Sequence, residues 1–116
     1  MSAESETFMV LSCTHRTAPL AARERLAIPE EKLGMFYARL REVPGVAETV
    51  VVSTCNRVEI YAAGRCAEAQ LRETLAREHA LDAKEIAGYC EWHSGLPAVE
   101  HLFQVAAGVD SQMVGG

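Results

Sequence analysis

No apolar run in this chain approaches the ~20 residues that cross a bilayer, so no spanning helix is expected. The opening stretch, Met1-Ser2-Ala3-Glu4-Ser5-Glu6, lacks the basic and apolar segments of a secretory signal and reads as a frayed polar tail over residues 1–7. Surplus positive charge is also missing. Lys and Arg number 11 against 16 Asp and Glu, a net charge of −5. An autonomous nucleic-acid binder needs a basic face for phosphates, so that class is disfavoured, although Arg16, Arg23 and Arg25 leave room for one local patch. The four cysteines (13, 55, 66 and 90) contain no CxxC pair, and no leader precedes them, so they read as reduced thiols in a cytoplasmic protein. Neither GxGxxG after a strand nor GxxxxGK[ST] occurs, and no cofactor-binding or metal-binding residue is assigned. Repeats and low-complexity segments are absent as well.

What remains is ordinary globular composition, 49% hydrophobic and 23% charged in 116 residues, enough for one domain over residues 8–116. Phe8-Met9-Val10-Leu11 reads as a first strand. The alanine-rich run from Ala18 to Leu26 reads as a short helix with Pro19 in its first turn and Arg23, Glu24 and Arg25 on a solvated face. Pro29-Glu30-Glu31 opens a second helix whose Leu33, Phe36, Tyr37 and Leu40 form a core stripe, stopped by Pro44-Gly45. The β-branched run Glu48–Val52 predicts a buried strand, and the alternating Val58-Glu59-Ile60-Tyr61 a half-exposed one. Ala67 to Ala80 predicts a helix, with Asp82 capping the turn that follows. Tyr89-Cys90-Glu91-Trp92 predicts a fourth strand, and Pro97 to Ala107 a last helix closed by Gly108. This order predicts an α+β fold: a ferredoxin-like split βαβ (βαββαβ) antiparallel sheet with an extra C-terminal helix.

The chemistry concentrates at Ser53-Thr54-Cys55-Asn56-Arg57, a polar turn between two strands that holds a thiol with an arginine two residues on. The thiolate is the nucleophilic form, and nearby positive charge favours it. Thr54 and Asn56 supply hydrogen bonds, and the planar fork of Arg57 suits a carboxylate. A small buried cysteine at a strand end is the plainer reading. Other groupings are open too. Cys55 could pair with His15, His93 or His101 for covalent catalysis. Cys13 with His15 and Cys90 with His93 could form a Cys2His2 zinc site. His101 is otherwise a core histidine of an apolar helix, and Asp110-Ser111 a polar exit from it.

Four stretches carry a resemblance. They are Thr14-His15-Arg16-Thr17-Ala18-Pro19, Arg23-Glu24-Arg25, Ser53 to Tyr61, and His101-Leu102-Phe103-Gln104-Val105-Ala106-Ala107-Gly108-Val109-Asp110-Ser111. In this order and spacing they resemble the N-terminal catalytic domain of glutamyl-tRNA reductase, the enzyme family that opens the five-carbon route to tetrapyrroles (porphyrins). The resemblance implies that Cys55 attacks the ester joining glutamate to tRNA, and that NADPH reduces the thioester to glutamate-1-semialdehyde. It implies catalytic roles for Cys55 and His101, and substrate contacts for Thr54, Asn56, Arg57 and Ser111. The partners implied are glutamyl-tRNA and a second copy in a homodimer, with NADPH held by a domain not present in this chain. Ser12 and Thr14 stand where the family has glycine and asparagine, and Gly116 where it has glutamate. The alternative is a truncated, non-catalytic ferredoxin-like binding module.

Overall fold

The computed structural model describes residues 7–115, with side chains through residue 108. Of the tail expected over 1–7, only Thr7 falls within them, and it opens the first strand; residues 1–6 and Gly116 lie outside the described residues. The elements run β1 (Thr7–Thr14), α1 (Leu20–Leu26), α2 (Glu30–Arg41), β2 (Val46–Ser53), β3 (Arg57–Gly64), α3 (Glu68–Glu78), α4 (Ala83–Ile86), β4 (Glu91–Ser94) and α5 (Leu96–Gly115). The strands form one sheet in the order β2-β3-β1-β4, antiparallel at every pairing. That is the ferredoxin-like arrangement expected from the order of elements, with α5 as the extra helix.

Pairing period 2 divides each strand between two faces. On one face Met9, Leu11 and Cys13 of β1 join Val58, Ile60 and Ala62 of β3. There they pack on Ala22 and Leu26 of α1, Phe36 and Leu40 of α2, Leu71 and Leu75 of α3, and Ile86 of α4. The α2 stripe is core, as its spacing requires, and Tyr37 also accepts the Val51 N–H on its hydroxyl oxygen at 2.7 Å. The opposite face is covered by α5, where Val10 and Tyr61 meet Ala98 with Phe8 and Val52 alongside.

The two middle strands exchange the burial expected of them. β2, whose valines suggest burial, is the sheet edge, and Val50 is 56% exposed. β3, whose alternation suggests a wet face, is central and buried on both faces, Glu59 included. A β-branched run reports fitness for a pleated surface, not position within the sheet. Alternation exposes a strand only if nothing covers its polar face, and here α5 covers it. The other departures are smaller. α1 starts at Leu20 with Pro19 as its N-cap, and β4 starts at Glu91, because the Tyr89 carbonyl is taken by the Thr17 hydroxyl (2.8 Å) rather than by a strand partner. α5 continues through Gly108 to Gly115: Gly108 is not among the glycines with positive φ, and a helix tolerates an interior glycine at a cost of about 1 kcal/mol.

Candidate active site

The turn between β2 and β3 is closed by the Thr54 N–H, which donates to the Arg57 carbonyl at 2.8 Å. Inside it the Asn56 N–H donates to the Thr54 hydroxyl oxygen at 3.2 Å. Two outside contacts pin the turn. The Ser53 hydroxyl oxygen accepts the Ile28 N–H (3.0 Å), and the Cys55 carbonyl accepts Arg23 Nη1 (2.9 Å), while Arg23 Nε holds the Ala18 carbonyl (3.2 Å). Arg23 is therefore a clamp on the cysteine turn, not part of a solvated helix face. The backbone of Cys55 is held from the α1 side, and its side chain is exposed and free. This overturns the buried reading of Cys55: the buried thiols are Cys13 and Cys90.

Two residues beyond Arg57, β3 places Glu59 beneath α5 with no exposed surface. Its Oε2 accepts from Ser12 Oγ at 2.6 Å, from Arg57 Nη1 at 3.1 Å and from His101 Nε2 at 2.6 Å, and its Oε1 accepts the Tyr61 hydroxyl at 2.8 Å. Burial pushes this carboxyl up, but the hydrogen bonds from His101, Ser12 and Tyr61 outweigh it and hold Glu59 below the ordinary carboxylate range. The cost reappears on Tyr61, whose phenol is pushed well up by burial and by the Glu59 charge. Because Nε2 of His101 donates to Glu59, Nδ1 is the ring nitrogen left for other work. The His101 ring lies 5.2 Å from that of His93 at an interplanar angle of 26°, and 6.4 Å from Tyr61.

Beside this network a cleft of about 280 Å³ opens between the sheet and α5, lined by Thr14, His15, Arg16, Arg57, Glu91, His93, His101, Gln104 and Val105. All three histidines proposed as partners for Cys55 converge on it. Among the described residues, no hydrogen bond joins the Cys55 sulfur to an imidazole. The zinc grouping is not assembled: Cys13 and Cys90 lie in the helix-covered core, whereas His15 and His93 line the cleft across the sheet. A hydrogen bond with Cys13, reinforced by burial, pushes the Cys90 thiol up. Among the described residues no group of three His, Cys, Asp or Glu is placed to hold a metal ion.

The family model described as "Glutamyl-tRNAGlu reductase, N-terminal domain" matches residues 11–116. The chain belongs to this family. It is 38% identical over 113 residues to a glutamyl-tRNA reductase of Syntrophotalea carbinolica, covering 93% of this chain and 25% of that protein. Against the glutamyl-tRNA reductase of Stenotrophomonas maltophilia, identity is 44% over 109 residues, covering 94% and 24%. The solved glutamyl-tRNA reductase of Methanopyrus kandleri superposes with a TM-score of 0.64 at 28% identity, over 94% of this chain and 24% of that one. The chain thus spans about a quarter of the length of these relatives.

Within this glutamyl-tRNA reductase N-terminal domain, Thr54, Cys55 and Asn56 share the exposed turn, and Arg57 joins the turn to the cleft. Arg57 and His101 meet on one oxygen of Glu59. Ser111 belongs to α5, but its side chain lies outside the described residues. Glu59 and Arg23 are the residues that sequence reasoning missed. The available signal for Glu59 was the extra helix itself, since a helix over the second face buries whatever polar residue β3 turns toward it. The three arginines have different settings: Arg23 clamps the turn, Arg16 lines the cleft, and Arg25 lines another groove with Pro19, Leu81 and Tyr89.

Proposed function

We propose that this chain is the acyl-accepting part of a glutamyl-tRNA reductase. The observation that carries the reading is one exposed cysteine on a clamped polar turn, next to a cleft where a buried carboxylate orients an arginine and a histidine. In the proposed step the Cys55 sulfur attacks the ester carbonyl of glutamyl-tRNA. A carbon–sulfur bond forms, the carbon–oxygen bond to the ribose breaks, and the departing oxygen takes up a proton while the thiol loses one. Arg57 binds the substrate's side-chain carboxylate through the N–H groups of its fork that Glu59 leaves free. Thr54 and Asn56 border the acyl group. His101 handles the proton at Nδ1, its ring fixed by Glu59 through Nε2. Ser111 is proposed as a further substrate contact.

Reduction of the thioester to glutamate-1-semialdehyde, with NADPH as hydride source, completes the proposed activity, which serves tetrapyrrole biosynthesis. The described residues do not fit a dinucleotide: the sheet is antiparallel throughout and offers no parallel crossover with a glycine-rich turn. Binding of NADPH is therefore assigned to segments of the longer relatives outside this chain. A homodimer and a cytoplasmic setting belong to the same proposal. No described helix is long and apolar enough to cross a membrane.

Incubation with glutamyl-tRNA, acid quenching and intact-mass analysis tests the acyl step. The expected product is the chain plus one glutamyl group, mapped to Cys55 by peptide mass and absent from Cys55→Ser. A glutamyl group on another cysteine, or none on the unmodified chain, overturns the proposal and leaves the binding-module reading.

A further inference from the structure

The cleft has a second charged wall that the proposed reaction does not use. Glu91 opens β4 directly opposite Ser12, whose other neighbour across β1 is Glu59. Glu91 therefore projects from the same sheet face as Arg57 and Glu59, with its backbone about 10 Å from that of Glu59 by two strand spacings. Unlike Glu59, its side chain is half exposed (51%), and it lines the cleft together with Arg57 and His101. Its Oε1 meets His93 Nε2 at 3.3 Å, and among the described residues nothing occupies Oε2. The His93 ring is in turn stacked on His101. The cleft of about 280 Å³ thus carries the guanidinium of Arg57, with Arg16 also in its lining, and a carboxylate braced by a stacked imidazole.

We infer that Glu91, held by His93, is the specificity residue that receives the free α-ammonium of the acyl group. The inference rests on the proposed glutamyl site and deepens it. Arg57 reads the side-chain carboxylate and Glu91 reads the amino group, so the cleft selects an α-amino acyl group over the same diacid lacking nitrogen. A carboxylate that merely paired with its i+2 histidine in solvent would add little and would select nothing. The opposed placement of the two charges distinguishes the roles. Like-charge discrimination adds to it, because a neutral or anionic group at that position leaves Glu91 unpaired against the ligand.

The test uses three small esters titrated into the 116-residue chain and followed by amide and imidazole NMR shifts: glutamate α-methyl ester, glutarate monomethyl ester, and glutamine α-methyl ester. Cys55→Ser is used throughout so that no ester is consumed. The glutamate ester is expected to bind at least about tenfold tighter than either of the others, with shifts at His93 and His101; tenfold corresponds to about 1.4 kcal/mol. In Glu91→Gln the preference over glutarate monomethyl ester falls to near unity while the preference over the glutamine ester remains, and Glu91→Asp restores part of the loss. Arg57→Lys shows the reverse pattern. Retention of the ammonium preference in Glu91→Gln overturns the inference alone. Absence of the preference over the glutamine ester in the starting chain overturns the glutamyl reading of the cleft, and this inference with it.

Discussion

Glu59 is where residue-scale physics and function meet. An ionised carboxylate with no solvent contact is unfavourable unless its lone pairs are filled, and here four donors fill them. The same four bonds fix Arg57 and His101 relative to each other, which a purely apolar filling of that position would not do. Glu59→Gln keeps the volume but removes the charge and turns half of the acceptor into a donor facing Ser12, Arg57, Tyr61 and His101. It is expected to lower unfolding free energy by about 2–4 kcal/mol, read from urea denaturation. Acylation of Cys55 should slow in parallel even under conditions where the variant is fully folded. Unchanged stability would mean that the network is dispensable.

At the scale of elements, two glycines do opposite things. Gly64 ends β3 at φ +148°, and a Cβ there would lie 2.1 Å from the Gly45 carbonyl oxygen, which itself accepts the Arg65 N–H at 2.8 Å. This close approach seals the far end of the β2–β3 pair, opposite the Cys55 turn. Gly108 lies inside α5, and among the described residues nothing comes within 4 Å of its would-be Cβ. Gly64→Ala is therefore expected to destabilise by about 2–4 kcal/mol through backbone strain and overlap. Gly108→Ala is expected to stabilise by about 0.5–1 kcal/mol by removing chain entropy from the unfolded state. Thermal melts of the two variants beside the parent check both signs. A destabilised Gly108→Ala would show that α5 does not run straight through that residue.

Across the whole molecule the sheet is covered unequally: four helices make one face a dry core, and α5 makes the other partly polar. Each side carries a group whose ionisation links stability to pH. Burial pushes the His79 imidazole down, against the opposing pull of a Leu26 backbone bond and the Glu78 charge. The unfolded chain then takes up the His79 proton first, so stability falls as pH drops below the unfolded value of about 6.5. Glu59 is held below its unfolded value of about 4.3, so its contribution is complete above that pH and is lost as pH falls through the lower folded value. Urea midpoints from pH 8 to pH 3 should decline in two stages. His79→Gln should remove the upper stage and Glu59→Gln the lower one. A single transition retained in both variants would contradict the assignment.

From the chain alone came the α+β class, the split βαβ order, the core stripe of α2 and the polar turn at Cys55. Each is local: hydrophobic period, turn chemistry and a motif within ten residues are written in consecutive positions. Which strand is central is not local. Val50 and Glu59 look like an inside and an outside residue when read along the chain, yet their roles reverse, because β3 lies between β2 and β1 and is roofed by a helix that begins 37 residues after Glu59, at Leu96. Nor did spacing join Arg23 to Cys55 or His101 to Glu59, since those contacts span 32 and 42 positions. They exist only once the sheet has closed and α5 has docked. Burial of a charge is decided by what covers it, and that is a property of the assembled layers, not of the residue or its neighbours in sequence.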